Sequence, residues 1–187
     1  MSTLRVTAGT LRGRRILVPP RDVRPTSERA RQAFFNIIGQ RIDGAHFLDL
    51  FAGSGIFSFE ALSRGAQTAT AVDSSRQNIA AIEQVAGTLG VNVKTVAADA
   101  LSGIKRLGSE VFDVVYADPP YDYVGYDDLL MTIDRNLTLA PGAVVAIEHR
   151  RNSRPFTTDL QRLAPARSAG YGEVWITLFK ENDDAWN

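Results

Sequence analysis

A rigid segment that joins an acid to an aromatic ring, Asp118-Pro119-Pro120-Tyr121, follows the apolar run 111–117. The carboxylate of Asp118 and the carbonyl of Pro119 can accept two N–H hydrogen bonds, and the prolines fix φ, so these acceptors are preorganised. The ring of Tyr121 offers a face on which an extruded base can stack. An amino group on a base is a poor nucleophile because its lone pair is delocalised, so methylating it requires holding it in line with the methyl donor. The four residues therefore predict a catalytic site for methylation of such an amino group.

A second segment, 49–58, has the pattern of a strand end, a glycine turn and a helix start, which is where doubly wound sheets bind nucleotides. Gly53 and Gly55 let a ligand approach the backbone closely. The third glycine of the dinucleotide fingerprint would fall on Ser58, and Asp49 would repel a pyrophosphate. A carboxylate here suits a ligand with an ammonium group and no phosphate, and S-adenosylmethionine is such a ligand.

Acids also follow the next two predicted strands. Asp73 stands about 20 residues after the glycine turn, where it can accept hydrogen bonds from both ribose hydroxyls. Asp99 could meet the adenine amino group, although either acid alone could be a helix cap. Because the carboxyl ends of parallel strands share one edge, we expect one crevice. Its predicted cofactor contacts are Asp49, Phe51, Gly53, Gly55, Asp73, Ser74, Asp99, Ala100 and Asp118.

A parallel sheet is needed to bring these residues together, and the hydrophobic pattern predicts one. Helical patterns near 56–64, 75–88, 100–107 and 126–138 alternate with apolar runs at 47–51, 70–72, 91–96, 111–117 and 143–147. Two more strands, 165–167 and 174–179, predict a closing antiparallel hairpin. We therefore expect an α/β, Rossmann-like fold with a seven-stranded, mostly parallel sheet.

The N-terminal region differs from the rest in charge. Residues 1–31 contain eight arginines and two acids, a net charge of +6, whereas the remaining chain carries −6. A basic arm on an acidic body is typical of a nucleic-acid reader with one contact face, although a solvated surface is the simpler alternative. The predicted nucleic-acid contacts are Arg5, Arg12, Arg14, Arg15, Arg24, Arg29 and Arg31.

Strand patterns at 4–7 and 15–18 predict a β-hairpin, which Pro19-Pro20 ends, and a helix follows from Thr26 or Ser27 to about Gly39. We therefore divide the chain into a basic extension over 1–40, a catalytic domain over 41–180 and a flexible tail over 181–187.

The composition excludes several classes of protein. The 187 residues include no Cys and two His, which argues against disulfides, zinc thiolate sites and metal catalysis. No apolar run approaches the roughly 20 residues that a membrane span needs, and the N-terminus lacks a signal peptide pattern. We expect a cytoplasmic monomer without metal.

The sequence resembles the D-type bacterial 16S rRNA guanine-N2 methyltransferases over most of its length, 1–180. The resemblance is carried by these segments: Arg12-Gly13-Arg14, Arg24-Pro25-Thr26 with Arg29, Arg31 and Phe35-Asn36, Asp49 to Gly55, Glu60 to Ala66, and Asp118 to Tyr121. It implies a class I fold, S-adenosylmethionine as cofactor, and methylation of one guanine N2 in small-subunit rRNA within a partly assembled subunit. The sequence departs from the family pattern at the bulky stretch 56–59 and at Asp73, where we expect Glu.

Three alternatives remain open. Adenine-N6 methylation of DNA or RNA is possible because 118–121 recognises an amino group and not a particular base. A nicotinamide-dependent oxidoreductase would use the glycine turn but would not need the Pro-Pro segment. A non-catalytic RNA-binding assembly factor would make a change at Asp118 silent.

Overall fold

The computed structural model describes residues 2–18, 28–151 and 160–181. Five α-helices lie in this part of the chain, together with a 3-10 turn at Gly39–Ile42: α1 Glu28–Ile38, α2 Ile56–Ser63, α3 Arg76–Leu89, α4 Ala100–Arg106 and α5 Tyr126–Asn136. The strands are β1 Ser2–Arg5, β2 Arg15–Val18, β3 His46–Leu50, β4 Thr68–Asp73, β5 Lys94–Ala97, β6 Val111–Ala117, β7 Thr138–Arg150, β8 Leu163–Tyr171 and β9 Val174–Glu181. No helix among these residues is long and apolar enough to span a bilayer.

The main sheet has seven strands in the order β5-β4-β3-β6-β7-β9-β8. The strands from β5 to β7 are parallel, whereas β9 pairs antiparallel with both β7 and β8. The strand order reverses between β3 and β6, and this is the point where open α/β sheets bind ligands. The predicted fold class is confirmed, including the closing antiparallel hairpin.

The strand β5 begins three residues later than its apolar pattern predicts. Gly90 ends α3 in the left-handed conformation, and the N–H of Val91 donates to the carbonyl of Ala86 at 3.1 Å. These bonds form a glycine-terminated helix cap. Residues 91–93 therefore connect the cap to β5, although two of them are apolar.

Two apolar cores cover the two faces of the sheet. One contains a cluster of rings from α1, β3, α2 and β6, and Phe57 stacks on Tyr116 with centroids 3.9 Å apart. The other packs α4 and α5 against the opposite face. Three residues of the bulky stretch 56–59, Ile56, Phe57 and Phe59, thus belong to the first core.

The predicted N-terminal hairpin is confirmed as the pair β1 and β2, and its connection packs on the C-terminal half of α2. The N–H of Thr7 donates to Glu60 at 2.9 Å, and the N–H of Leu11 donates to the hydroxyl of Ser63 at 2.9 Å. Gly9 lies so close to Ser63 that an added Cβ would be 1.6 Å from its carbonyl oxygen. These contacts join the predicted extension, 1–40, to α2 of the predicted catalytic domain, 41–180. The boundary between the two at residue 40 remains a prediction. The helix cap predicted at Thr26 or Ser27 and tail residues 182–187 lie outside the described residues.

Candidate active site

Asp49 lies on the central strand β3, next to the point where the strand order reverses. Its side chain is buried, and its Oδ2 accepts hydrogen bonds from the backbone N–H of Ser58 at 3.1 Å and from the Ser58 hydroxyl at 2.7 Å. Burial raises the pKa of Asp49 to about 8, although the bonds from Ser58 oppose this, and the charges of Asp118 and Asp73 raise it further. Ser58, which stands where the dinucleotide fingerprint has its third glycine, therefore orients the carboxyl group of Asp49.

The glycine turn between β3 and α2 has an unusual backbone. Phe51 has a φ of 61°, which is uncommon for a residue with a side chain, and Gly53 and Gly55 have φ values of 53° and 73°. A Cβ on Gly55 would lie 2.9 Å from the side chain of Ile82. Glycine is therefore needed at position 55 both for its backbone conformation and for helix packing.

Asp73 ends β4 and binds the glycine turn directly. Its Oδ2 accepts from the N–H of Gly53 at 2.8 Å, and its Oδ1 accepts from the N–H of Ser75 and the amide of Asn78 at 2.8 and 3.3 Å. Ser74 is exposed beside it. Asp73 thus joins the glycine turn to the start of α3, and this role is not evident from the sequence.

Asp99 is the N-cap of α4 and is exposed. Its Oδ1 accepts from the N–H of Ser102 at 3.0 Å, and hydrogen bonds from Ser102 lower the pKa of Asp99. Burial raises the pKa of Tyr123, and the charges of Asp128 and then of Asp99 raise it further. The side chain of Ala100 is buried in the second core, so only its backbone could contact a ligand. Asp99 follows β5, at the same carboxyl edge of the sheet as Asp49 and Asp73.

The segment 118–121 begins where β6 ends. The N–H of Asp118 donates to the carbonyl of Leu50 at 3.3 Å, so the segment is attached to the turn after β3. Pro119 is buried and Pro120 is exposed. The ring of Tyr121 is 37% exposed, and the guanidinium carbon of Arg150 lies 4.0 Å from its centroid. One face of the ring is therefore covered by a cation, in a cation–π contact.

A buried carboxyl group that the sequence analysis did not single out lies beside Asp118. The Tyr116 hydroxyl donates to the Oε2 of Glu148 at 2.5 Å. Burial, the charge of Asp118 and a hydrogen bond with Asp118 raise the pKa of Glu148 to about 8, against the opposing bond from Tyr116. The sequence does contain a signal for Glu148. This acid directly follows the apolar run 143–147, just as Asp118 directly follows the run 111–117.

His149, the neighbour of Glu148, is buried and has both ring nitrogens engaged. Its Nδ1 lies 2.6 Å from the carbonyl oxygen of Arg150, and its Nε2 lies 2.8 Å from the hydroxyl of Thr177. This ring has a structural role between β7 and β9.

The prediction that Arg31 contacts nucleic acid is wrong, because its side chain is fully buried. Its Nη2 donates to the carbonyl of Arg5 at 2.8 Å, and its Nε lies 3.5 Å from Glu60. Arg31 belongs to the apolar stripe of α1 with Phe34, Phe35 and Ile38, and this spacing is the signal that could have identified it as buried.

The remaining predicted arginine contacts differ from Arg31 in their exposure. The side chains of Arg5, Arg12, Arg14, Arg15 and Arg29 are exposed. Arg24 lies outside the described residues.

The chemistry of the crevice can be compared with the ligand that the sequence predicts. Acids lie at or just after the carboxyl ends of four parallel strands, β3 to β6, and the charges of Asp73 and Asp118 both act on Asp49. Such acceptors fit a ligand that presents an ammonium group, hydroxyls and an amino group, and they disfavour phosphates. The residues present therefore fit S-adenosylmethionine.

This sheet order and the acid-lined carboxyl edge define a class I methyltransferase of Rossmann-like architecture. The chain belongs to the family described as conserved hypothetical protein 95, which matches residues 4–180, and the resemblance noted from the sequence is confirmed. It is 30% identical over 183 residues to a Bacillus subtilis protein named as an rRNA methyltransferase, YlbH, covering 95% of this chain and 99% of that one.

Two further relatives support the same class. The chain is 33% identical to the Escherichia coli ribosomal RNA small subunit methyltransferase D over 147 residues, which cover 78% of this chain and 74% of the relative. A solved Escherichia coli structure, named as the methyltransferase yhhF, superposes with a TM-score of 0.84 at 29% identity, covering 96% of this chain and 98% of that one. The protein is therefore a methyltransferase enzyme.

Proposed function

We propose that this protein transfers a methyl group from S-adenosylmethionine to the N2 amino group of one guanine in 16S rRNA. The observation that carries the proposal is the position of Asp118, Pro119 and Tyr121 at the end of β6, joined by a hydrogen bond to the end of β3. At this position the acceptors for an amino group lie beside the end of β3, the strand that carries Asp49. The substrate class follows the names of the relatives, which are rRNA methyltransferases.

The cofactor is bound by residues of the glycine turn and of the next two strand ends. Asp49 pairs with the ammonium group, Asp73 accepts from the ribose, and Asp99 accepts from the adenine amino group. Phe51, Gly53, Gly55, Ser74 and Ala100 complete the surface. When bound, S-adenosylmethionine supplies an electrophilic methyl group on a sulfonium.

The target base is held by segment 118–121. The carboxylate of Asp118 and the carbonyl of Pro119 accept the two N–H bonds of the amino group, which orients its lone pair towards the methyl carbon. The exposed face of Tyr121 stacks on the base, while Arg150 covers the other face. As the N–C bond forms and the S–C bond breaks, the amine releases one proton to solvent, and no further base is required.

The exposed arginines of the N-terminal hairpin contact the phosphates of the RNA. Arg12 and Arg14 lie in the connection between β1 and β2, and Arg15 begins β2. Guanidinium groups form bidentate contacts with phosphates, which suits this role. We propose that the enzyme acts as a cytoplasmic monomer, without metal, on a partly assembled small subunit.

Analysis of the methylated nucleoside tests the proposal. Small subunits from a strain that lacks this enzyme are incubated with the protein and deuterated-methyl S-adenosylmethionine, and the digested rRNA is analysed by mass spectrometry. We expect labelled N2-methylguanosine at one rRNA position. Labelled N6-methyladenosine would favour the adenine alternative, and no label in any nucleoside would favour the non-catalytic assembly factor.

A further inference from the structure

Glu148 occupies the same level of the sheet as Asp118. The parallel register of β6 and β7 pairs Ala117 with Ile147, and Asp118 and Glu148 are the next residues of their chains. The Glu148 side chain is 7% exposed. Two carboxyl groups thus lie side by side at the candidate active site, and Asp118 alone is assigned a task by the proposed function.

The contacts of Glu148 determine which of the two groups carries a proton. One oxygen accepts from the Tyr116 hydroxyl at 2.5 Å, and the group is also hydrogen-bonded to Asp118. A hydrogen bond between two carboxyl groups requires a proton on one of them, because two carboxylates have no donor between them. Asp118 is less buried than Glu148, so the ionised form is favoured on Asp118 and the proton on Glu148.

We propose that Glu148 is a positioning residue for methyl transfer, which in its protonated form donates to one oxygen of Asp118 and leaves the other oxygen aimed at the amino group of the base. This inference rests on the proposed function, since it acts through Asp118. Tyr116 also holds the Glu148 carboxyl through its hydroxyl. The chain Tyr116–Glu148–Asp118 would then preorganise the acceptor without itself touching the substrate.

The charged and titratable neighbours give this arrangement a pH limit. Tyr116 on β6 and Asp118 just after it face Glu148, as does Tyr126 at the start of α5, and β9 pairs the apolar Ile176 with it. Asp49 on β3 acts on the same Asp118. Loss of the Glu148 proton near pH 8 removes the donor and places a second negative charge against Asp118, so kcat falls as the pH rises further.

The test is the pH profile of kcat from pH 6.5 to 9.5, at saturating cofactor and RNA, for the wild type and four variants. Glu148→Gln keeps a donor to Asp118 and an acceptor for Tyr116, so we expect kcat at pH 7 within about threefold of wild type and a weaker alkaline fall. Glu148→Leu should lose about tenfold or more in kcat with KM for RNA unchanged. Tyr116→Phe removes a bond that lowers the Glu148 pKa, so its alkaline fall should move to higher pH. Asp134→Asn, a buried carboxyl on α5 bound to 161–163, is the matched control and should leave the profile unchanged.

Equal kcat values for Glu148→Gln and Glu148→Leu would overturn the proposal, as would an alkaline fall in Glu148→Gln identical to that of wild type.

A readout independent of turnover separates this inference from the proposed function. The infrared difference between wild type and Glu148→Gln at pH 7 should contain the carbonyl stretch of a protonated carboxyl group. Absence of that band would overturn the inference whatever the activity. A present band together with a labelled nucleoside that is not a guanosine would contradict the proposed substrate alone. The kcat values of the Glu148 variants, measured on the base that is methylated, would then still test the role of Glu148.

Discussion

At the scale of single residues, the carboxyl groups of the crevice differ because their surroundings differ. Asp49 is buried with one hydroxyl and one N–H as donors, and its pKa is raised to about 8. Asp99 is exposed and caps a helix, so its pKa is lowered. At neutral pH, Asp49 of the free protein is therefore mostly protonated and Asp99 is ionised. A cationic ligand at Asp49 must displace a proton in order to form an ion pair.

Asp49→Asn tests the assignment of Asp49 to the ammonium group. In the wild type, we expect the affinity for S-adenosylhomocysteine to increase with pH up to about 8, by at most tenfold per unit, since binding releases one proton. In Asp49→Asn the affinity should be lower and this increase should be weaker. Calorimetric titrations between pH 6.5 and 9 measure both. Equal pH slopes in the two proteins would contradict the assignment.

Asp49→Asn should raise the thermal stability of the free protein at alkaline pH, although it lowers the affinity for S-adenosylhomocysteine. The folded-state pKa of Asp49 lies above its unfolded value of about 3.9, so its stabilising contribution is complete below that value and is lost as the pH rises through about 8. Above pH 8, the free Asp49→Asn protein should therefore unfold at a higher temperature than the wild type, and the difference should shrink towards pH 5. Thermal melts across this range provide the measurement, and a constant difference would contradict the raised pKa.

At the scale of elements, α2 connects the two regions that the proposed function needs. The helix begins at the glycine turn, and its last turns bind the N-terminal hairpin through Glu60 and Ser63. Glu60 is fully buried and pairs with Arg31 of α1 and with Arg64. The hairpin is thus fixed to the same helix that shapes the cofactor site.

Glu60→Ala should lower the free energy of unfolding by about 3–5 kcal/mol, because it leaves the buried Arg31 without a carboxylate partner. In a double-mutant cycle, the variant that carries both Glu60→Ala and Arg31→Met should lose less free energy of unfolding than the two single variants lose together. The exposed pair Lys94 and Glu110 is the control, and Glu110→Ala should cost less than about 1 kcal/mol. Urea unfolding measures these values. Additive losses at Arg31 and Glu60 would show that the pair is not coupled.

The sequence predicts most of the elements and the strand-end acids because both depend on local patterns. Alternation of apolar runs with helical periods specifies βαβ units, and acids just after those runs must lie at one edge. Partners that are distant in the chain are harder to predict. The spacing of Arg31 on the apolar stripe of α1 is visible in the sequence, but its pairing with Glu60 depends on tertiary packing. The contacts of Tyr116 with Glu148 and of Tyr121 with Arg150 likewise depend on the register of β6 and β7.

At the scale of the whole molecule, basic and acidic groups are separated along a chain of zero net charge. Four exposed arginines, Arg5, Arg12, Arg14 and Arg15, lie on the hairpin, whereas Asp49, Asp73, Asp99 and Asp118 lie at the carboxyl edge of the sheet. A surface of this kind attracts phosphates at the hairpin while the body remains acidic. RNA affinity should therefore depend on salt, and this dependence should arise at the hairpin.

The triple variant Arg12→Ala, Arg14→Ala, Arg15→Ala should weaken binding of small subunits and flatten its salt dependence. Each lost phosphate contact should reduce the slope of log affinity against log salt by roughly 0.7–0.9. The control changes three exposed basic residues in the last turns of α4 and α5: Lys105, Arg106 and Arg135. It should leave the slope unchanged, and S-adenosylhomocysteine affinity should be unchanged in both variants. A wild-type slope in the hairpin variant would show that these arginines do not contact RNA.

The most direct test of the account is the single-turnover rate of Asp118→Ala, measured together with its affinity for S-adenosylhomocysteine. Asp118 is proposed to accept a hydrogen bond from the reacting amino group, and losing one such preorganised acceptor typically costs about 3–4 kcal/mol in the transition state, or roughly 10²–10³ in rate. We expect that loss with a much smaller change in cofactor affinity, while Asp122→Ala, which changes an exposed acid four residues further on, keeps the wild-type rate. A turnover of Asp118→Ala within a few-fold of wild type would contradict the assignment of this edge of the sheet as the methyl-transfer site.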